Sequence, residues 1–308
     1  MKKHIIIRIV LMLLNIFLIF TLLYFAVSHV NNEYFLRVPF KPFMKQTFAN
    51  YSEYLKGIFL EFDWGVNRQQ DDVWDIFKEK YPYTLKLNFI AFIFYVSMGI
   101  IIGYVQALKK GSLFDRMFTI ISLMISSIPI YILMFLVVIT VGATWHILPY
   151  HFIRNEQWIS YILPVMVLSV APITTFSRVV RNEVLELLTA DHILLARVKG
   201  LTKRQATVRH TFRSSIVALI PELPTVFLFA LTGSFFVEMI YYVPGVARDF
   251  YESIISIGDF NVNYVTVDIP VTMLVMLFYI LVSMIFITFI DLLTPLIDPR
   301  VRFKKEKG

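Results

Sequence analysis

The sequence predicts an all-α integral membrane protein with six transmembrane helices and both termini in the cytoplasm. Of its 308 residues, 57% are hydrophobic and only 17% are charged, whereas an average globular chain is about 45–50% apolar and about 25% charged. The apolar residues gather in six runs, each close to the roughly 20 residues that cross a bilayer as a helix. Lysine and arginine collect in alternate loops between these runs, as they do in membrane proteins of fixed orientation.

The six apolar runs cover approximately residues 9–28, 85–107, 117–141, 159–177, 216–242 and 269–292. The first follows Lys2, Lys3 and Arg8, as the apolar part of a signal peptide would. It is longer than the roughly 7–15 apolar residues of a signal peptide, and no small-residue cleavage site follows it cleanly. The sequence therefore predicts a retained first helix.

The distribution of basic residues orients these helices. Segment 109–116 holds three Lys or Arg, segment 178–215 holds eight, and the tail 293–308 holds five. The alternate loops 142–158 and 243–268 hold only Arg154 and Arg248. By the positive-inside rule the three basic segments face the cytoplasm. The net charge of +7 is thus a topology signal, and no nucleic-acid partner is expected.

This topology predicts four parts: a tail and first helix (1–28), an extracytoplasmic segment (29–84), a five-helix core with the cytoplasmic loop 178–215 (85–292), and a basic tail (293–308). The segment 29–84 mixes acidic, basic and aromatic residues, and we expect short helices or a small cap there. Val73, Ile76 and Phe77 fall at helical spacing before Pro82, which predicts an interfacial helix that leads into the second span.

A stretch within the basic loop, residues 191–213, carries its own helix signals, and we call it the docking segment. Its candidate contact residues are Asp191, Leu194, Leu195, Ala196, Arg197, Val198, Lys199 and Gly200. Asp191 suits the start of a short helix, the two basic residues suit its last turn, and Gly200 suits the position past its end. The three bulky apolar residues share one arc. A helix this short is marginal alone in water, so the segment predicts either a docking helix for another protein or a solvated loop that only fixes topology.

Prolines and one glutamate are candidates for a translocation path. Prolines lie within three consecutive apolar runs, at Pro129, Pro164, Pro172, Pro221 and Pro224. Such prolines kink helices and free carbonyl groups that can line a water-filled cavity, although ordinary packing kinks are the alternative. Glu222 and Glu238 lie in the fifth run, and carboxylates there usually face a cavity unless they lie at the membrane interface. The candidate path residues are Pro129, Pro172 and Glu222.

Several chemistries have no support in the sequence. No glycine precedes a lysine, so there is no P-loop for a nucleotide. The chain has no cysteine, which excludes disulfides, thiolate metal sites and a cysteine nucleophile. Gly233-Ser234 lies in a predicted span, and an intramembrane serine protease would need a histidine base deep in another span. No histidine lies there, which argues against such an enzyme. We expect no catalytic residue, no metal site and no cofactor bound by this chain.

Five blocks of residues occur in a recognisable order. They are Asp63-Trp64-Gly65, Pro82-Tyr83-Thr84-Leu85, the docking segment, Glu238 with Pro244-Gly245, and Asp298-Pro299-Arg300-Val301-Arg302. Together they resemble the membrane permease subunit of ATP-binding cassette (ABC) importers, in the oligopeptide/dipeptide/nickel branch. In the docking segment Leu194-Leu195-Ala196 replaces the family's Glu-Ala-Ala, and Gly200 is kept. His210-Thr211-Phe212-Arg213 stands where other importers have Ile-x-Leu-Pro, which is typical of this branch.

Two features depart from the family. The proline usually found near Ala218 occurs here as Pro221, and the segment 29–84 is shorter than in many relatives. The second departure concerns the region where a binding protein would make contact.

The resemblance implies a type I importer permease in the bacterial cytoplasmic membrane, surrounded by lipid. It implies a homologous second permease, two ATPase subunits that bind ATP and Mg²⁺, and an extracytoplasmic substrate-binding lipoprotein. The docking segment would rest in a groove of an ATPase, and the spans would form a path for oligopeptides or dipeptides. Nickel or metal-chelator import is the alternative within the family, and a six-span channel or secondary transporter is the alternative outside it.

Overall fold

The computed structural model of the chain describes residues 2–31, 39–153, 157–189, 200, 212–254 and 267–297. Its helices are α1 Lys2–Asn31, α2 Phe40–Lys56, α3 Val73–Leu108, α4 Leu113–Ser127, α5 Ile130–Val137, α6 Gln157–Leu188, α7 Phe212–Leu219, α8 Leu223–Ile240, α9 Val246–Ile254 and α10 Ile269–Ile297. A π-helical turn follows α2 and another follows α5, and a 3₁₀ turn, Ile220–Glu222, joins α7 to α8. Extended pairing in the described residues is limited to one isolated bridge, between Val66 and Asp72. The all-α prediction is therefore confirmed.

Five helical stretches are long and apolar enough to cross a bilayer. They lie in α1, α3, α6, the α7–α8 pair and α10, and they coincide with five of the six predicted runs. The remaining run, over 117–141, was predicted to be one continuous helical span, and that prediction is wrong. It is divided into α4 and α5, with a bend of 106° between Leu113–Ser127 and Ile130–Thr144. The described residues therefore hold five candidate spans, or six if the bent pair counts as one.

The break lies at Ile128 and Pro129. A proline disfavours the helical conformation at the residue before it, and Ile128 has an extended backbone with φ −94° and ψ 129°. Pro129 then occupies the N-cap position of α5, where its missing N–H removes no helical hydrogen bond. The proline thus breaks the helix completely. The sequence predicts instead a continuous span, from its hydropathy, with a kink at the proline.

The described residues fall into two compact units. The first unit draws on Met1–Leu85 and Tyr242–Ile285, and the second on Lys86–Tyr241 and Phe286–Gly308. In the first unit, Phe43, Thr47 and Tyr51 form the buried stripe of α2, at the i, i+4, i+8 spacing of one helical face. Tyr51 contacts α1, with its ring centroid 4.8 Å from that of Tyr24. The segment 29–84 therefore contains a packed helix, as expected.

The predicted interfacial helix before Pro82 is not a separate element. Helix α3 starts at Val73 and runs without interruption to Leu108, with Pro82 inside it. Val73 and Phe77 lie one turn apart and are both buried in the aromatic core of the first unit. The start of α3 is therefore packed into protein.

Helix α6 is the centre of the second unit and contacts α4, α5, α7 and α8. It is longer than the predicted span 159–177 because it continues to Leu188, so the predicted cytoplasmic loop 178–215 begins as a helix. Val180, Val184 and Leu188 are buried along this extension at i, i+4, i+8 spacing, which keeps an apolar face after the hydropathy has fallen.

Helices α3 and α6 approach each other closely at two glycines. A Cβ atom added to Gly99 would lie 2.8 Å from Phe176 Cδ1, and one added to Gly103 would lie 2.7 Å from the backbone oxygen of Ser177. Gly99 and Gly103 form a Gly-x-x-x-Gly pattern, which permits such close helix packing in membranes.

Candidate functional site

The docking segment lies largely outside the described residues: Asp191, Leu194, Leu195, Ala196, Arg197, Val198 and Lys199 all fall there. Gly200 is described, and its φ is +96°, with no atom of the other described residues within 4 Å of an added Cβ. This backbone conformation strongly favours glycine. The residue therefore has the conformation expected past a helix end, while the docking role of the segment stays a prediction.

The helices on either side of the docking segment are described and contact each other. Helix α6 ends at Leu188, before the segment, and α7 begins within the last two residues of the segment, at Phe212. Tyr104 of α3 contacts the start of α7, since its hydroxyl is hydrogen-bonded to Ser215 and its ring centroid lies 5.4 Å from that of Phe212. Ser215 also donates to the Phe212 carbonyl at 2.9 Å. The chain therefore leaves the docking segment directly into a helix attached to α3.

An ion pair connects the first turn of α4 with α6. Arg181 donates from Nε to Asp115 Oδ1 at 2.7 Å and from Nη2 to Asp115 Oδ2 at 2.9 Å, a bidentate geometry that is stronger than a single contact. The Asp115 side chain is only 5% exposed. It also accepts from the Gly111 N–H at 2.9 Å. These contacts fix the α3–α4 connection and the start of α4 to Arg181 of α6, which lies less than three helical turns before the docking segment.

We expect the Asp115–Arg181 pair to behave as a coupled unit in stability measurements. Loss of one member of a buried pair leaves the other charge uncompensated and costs roughly 3–5 kcal/mol. Asp115→Asn or Arg181→Met alone should therefore lower the thermal unfolding midpoint strongly. The unfolding midpoint of the double variant should fall by less than the sum of the decreases in the two single variants. Strictly additive midpoint shifts, measured by tryptophan fluorescence in detergent, would show that the two side chains act independently.

The three candidate path residues occupy different environments in the second unit. Pro129 is exposed at the break between α4 and α5, Pro172 is buried inside α6, and Glu222 is exposed at the end of the 3₁₀ turn before α8. Exposure of Glu222 fits either a path or an interface. The role of these three residues stays a prediction.

A buried polar contact between α3 and α8 was not identified from the sequence. Asn88 Nδ2 donates to Ser234 Oγ at 2.9 Å, and both residues are buried. Hydrogen bonds of this kind hold membrane helices together. Glu238, one turn after Ser234, is fully buried, so the interfacial exposure considered for it is wrong. Asn88 was readable as a polar residue in an apolar run, but its partner lies 146 positions away.

In the part of the chain that the structure describes, no group of three or more His, Cys, Asp or Glu side chains is placed to hold a metal ion. The geometry here is that of helix packing and polar contacts between helices. Polar contacts join α3 to α7 and α4 to α6.

Comparison with known proteins gives one consistent result. The family model "Binding-protein-dependent transport system inner membrane component" matches residues 99–303. The Dipeptide transport system permease protein DppB of Lactococcus lactis subsp. cremoris (strain MG1363) is 28% identical over 317 residues, which cover 98% of this chain and 100% of the relative. The protein of the same name from Bacillus subtilis (strain 168) is 30% identical, covering 83% and 80%. That of Escherichia coli (strain K12) is 26% identical, covering 85% and 83%.

Proposed function

Since the chain belongs to the family of binding-protein-dependent transport system inner membrane components, we propose that it forms, with a homologous second permease, a translocation path for dipeptides and longer peptides. Its family makes it the non-catalytic permease subunit of an ABC importer and a multi-pass protein of the cytoplasmic membrane. The observation that carries the proposed substrate is the similarity to a dipeptide permease over 98% of this chain.

The proposed complex contains two ATPase subunits on the cytoplasmic face and a binding lipoprotein on the outer face. The positive-inside pattern supports this orientation, with both termini and the docking segment inside. ATP and Mg²⁺ would be held by the ATPase subunits, because this chain has no P-loop. Lipid would surround the exposed apolar residues of α1, such as Leu14, Leu18 and Leu22.

The proposed coupling is mechanical. Closure of the ATPase dimer would move the docking segment, with Asp191 and Gly200 at its ends and its apolar arc in an ATPase groove. Movement would pass to α6 before the segment and to α7 after it. The Asp115–Arg181 pair and the Tyr104–Ser215 contact support this proposal, because they attach α6 to the first turn of α4 and α7 to α3. Displacement of the segment would then shift several spans together.

Two measurements on a strain that lacks the subunit test the proposal. Uptake of radiolabelled L-alanyl-L-alanine should be abolished and should return when the gene is restored. The tagged chain should also co-purify with a second permease and P-loop ATPases. Loss of nickel uptake with normal dipeptide uptake would transfer the assignment to metal import. A chain that purifies alone and transports in liposomes would indicate a channel or secondary transporter instead.

A further inference from the structure

A polar pocket in the first unit has no part in the coupling proposed above. It has a volume of about 90 Å³, which gives room for several water molecules or a small organic group. The loop before α3, the first turns of α3 and α10, and helix α9 surround it. In the proposed orientation these elements lie on the extracytoplasmic side.

The walls of the pocket combine an apolar face with charged side chains. Val73, Phe77 and Leu274 contribute apolar surface. The charged lining residues are three carboxylates and one guanidinium: Asp249, Glu252, Asp268 and Arg68. Two of these carboxylates are paired with cations outside the lining, Lys80 and Arg248, so a ligand here would be recognised by individual polar contacts next to an apolar wall.

Two of these charged residues, Arg68 and Asp268, hold the walls together, and a third, Glu252, is paired within α9. Asp268 Oδ2 accepts from the Arg68 backbone N–H at 2.9 Å, and Arg68 Nη2 donates to the Ser253 carbonyl at 3.1 Å. Glu252 pairs with Arg248 at 2.7 Å. These contacts connect the loop before α3 with the end of α9 and the start of α10, so the pocket is built from fixed walls.

Asp249 is the lining carboxylate with one buried oxygen that accepts no hydrogen bond from the described residues. Its side chain is 9% exposed, and Oδ1 is paired with Lys80 Nζ. Oδ2 is buried and has no donor among the described residues. Burial raises the pKa of Asp249, whereas Lys80 lowers that pKa. A buried carboxylate oxygen without a donor carries an uncompensated desolvation cost, which a second cationic donor would remove.

We propose that this pocket binds the α-ammonium group of a peptide, with Asp249 as the acceptor and the apolar wall against the first side chain. The proposal rests on the proposed function, since it takes the transported peptide as ligand. Oδ2 is shielded from solvent, so the carboxylate turns about χ2, a soft torsion in aspartate, when it accepts the ammonium. The pocket thereby selects a free amino terminus before the peptide enters the path.

The test is binding of L-alanyl-L-alanine to the full chain in lipid nanodiscs, measured by isothermal titration calorimetry. N-acetyl-L-alanyl-L-alanine, which has no ammonium group, should bind about tenfold or more weakly, as expected for loss of a charged hydrogen bond. Asp249→Asn should weaken dipeptide binding to a similar degree. Asp75→Asn is the matched control, because Asp75 also pairs with a lysine at 2.6 Å but is exposed outside the pocket.

Equal binding of the two peptides, or unchanged binding by a folded Asp249→Asn variant, would overturn the proposal. Because the acetylated peptide is tested on the unchanged chain, the result holds even if the variant fails to fold. Absence of dipeptide binding with normal dipeptide uptake would overturn the pocket and leave the proposed function intact. If the chain binds the purified lipoprotein but no free dipeptide, the pocket is a site for a protein side chain, and the proposal that it binds a peptide ammonium group is overturned.

Discussion

Replacement of Gly103 by leucine should remove most of the folded protein from the membrane. A Cβ atom at this position would lie 2.6 Å from Val180 Cβ and 2.7 Å from the Ser177 backbone oxygen. Real Cβ contacts do not occur at such distances, and a backbone atom of α6 cannot turn aside as a side chain can. The helices would have to separate, and overpacking of this kind typically costs 1–3 kcal/mol or, against backbone, about 4 kcal/mol or more. Fluorescence-detected size-exclusion chromatography of a tagged chain measures the loss.

Alanine substitutions provide a graded test of the same contact. Gly103→Ala should be more damaging than Gly99→Ala, because the nearest atoms to Gly99 belong to the side chain of Phe176. Ile101→Ala, between the two glycines on the exposed face of α3, is the matched control and should change the thermal midpoint little. Equal midpoints for all three variants would show that α3 and α6 are not in close contact at the glycines.

Replacement of Gly200 by valine should leave a folded subunit that no longer couples ATP hydrolysis to uptake. Its φ of +96° lies outside the region that β-branched residues adopt, and strain there costs of order 1–3 kcal/mol. No atom of the other described residues lies near an added Cβ, so we expect the strain to act on the local backbone and to leave the spans intact. We expect the complex to assemble and hydrolyse ATP, while dipeptide uptake is largely lost.

A second glycine separates this effect from general turn strain. Gly111, between α3 and α4, also has a positive φ, +80°, and open surroundings. Gly111→Val should therefore carry similar backbone strain outside the docking segment, lowering the thermal midpoint with a smaller loss of uptake per folded molecule than Gly200→Val. Wild-type uptake by Gly200→Val at normal expression would contradict the docking proposal. Equal uncoupling by both variants would assign the effect to turn strain.

Length and hydropathy were sufficient to predict the all-α class and five helical spans, because α1, α3, α6, α8 and α10 each carry a long apolar run. The same signals could not predict the break at Pro129. A proline within a membrane helix can produce a kink or a complete break, and the choice depends on neighbouring helices. Helix α6 was predicted too short because hydropathy falls after residue 177, although the apolar face continues through Val180 and Val184.

The contacts that support the proposed function were harder to predict. Asp115 and Arg181 lie 66 positions apart, and Asn88 and Ser234 lie 146 apart. Spacing within one segment carries no information on such pairs. Gly99 and Gly103 were readable as a Gly-x-x-x-Gly pattern, but the pattern does not name the partner helix. The docking segment depends on family resemblance, since most of it lies outside the described residues.

The bend between α4 and α5 limits what can surround this part of the molecule. A helix that ends leaves as many as four carbonyl groups, and one that begins leaves as many as four N–H groups, without partners in the helix. Here both ends meet within one apolar run, and the Ile128 N–H bonded to the Ile125 carbonyl at 3.2 Å satisfies only part of that requirement. Hydrocarbon tails offer no donors or acceptors, and each unsatisfied group there costs several kcal/mol. At membrane depth, the exposed surface at Pro129 would therefore be unsuited to acyl chains, and we expect it to face water or another polypeptide.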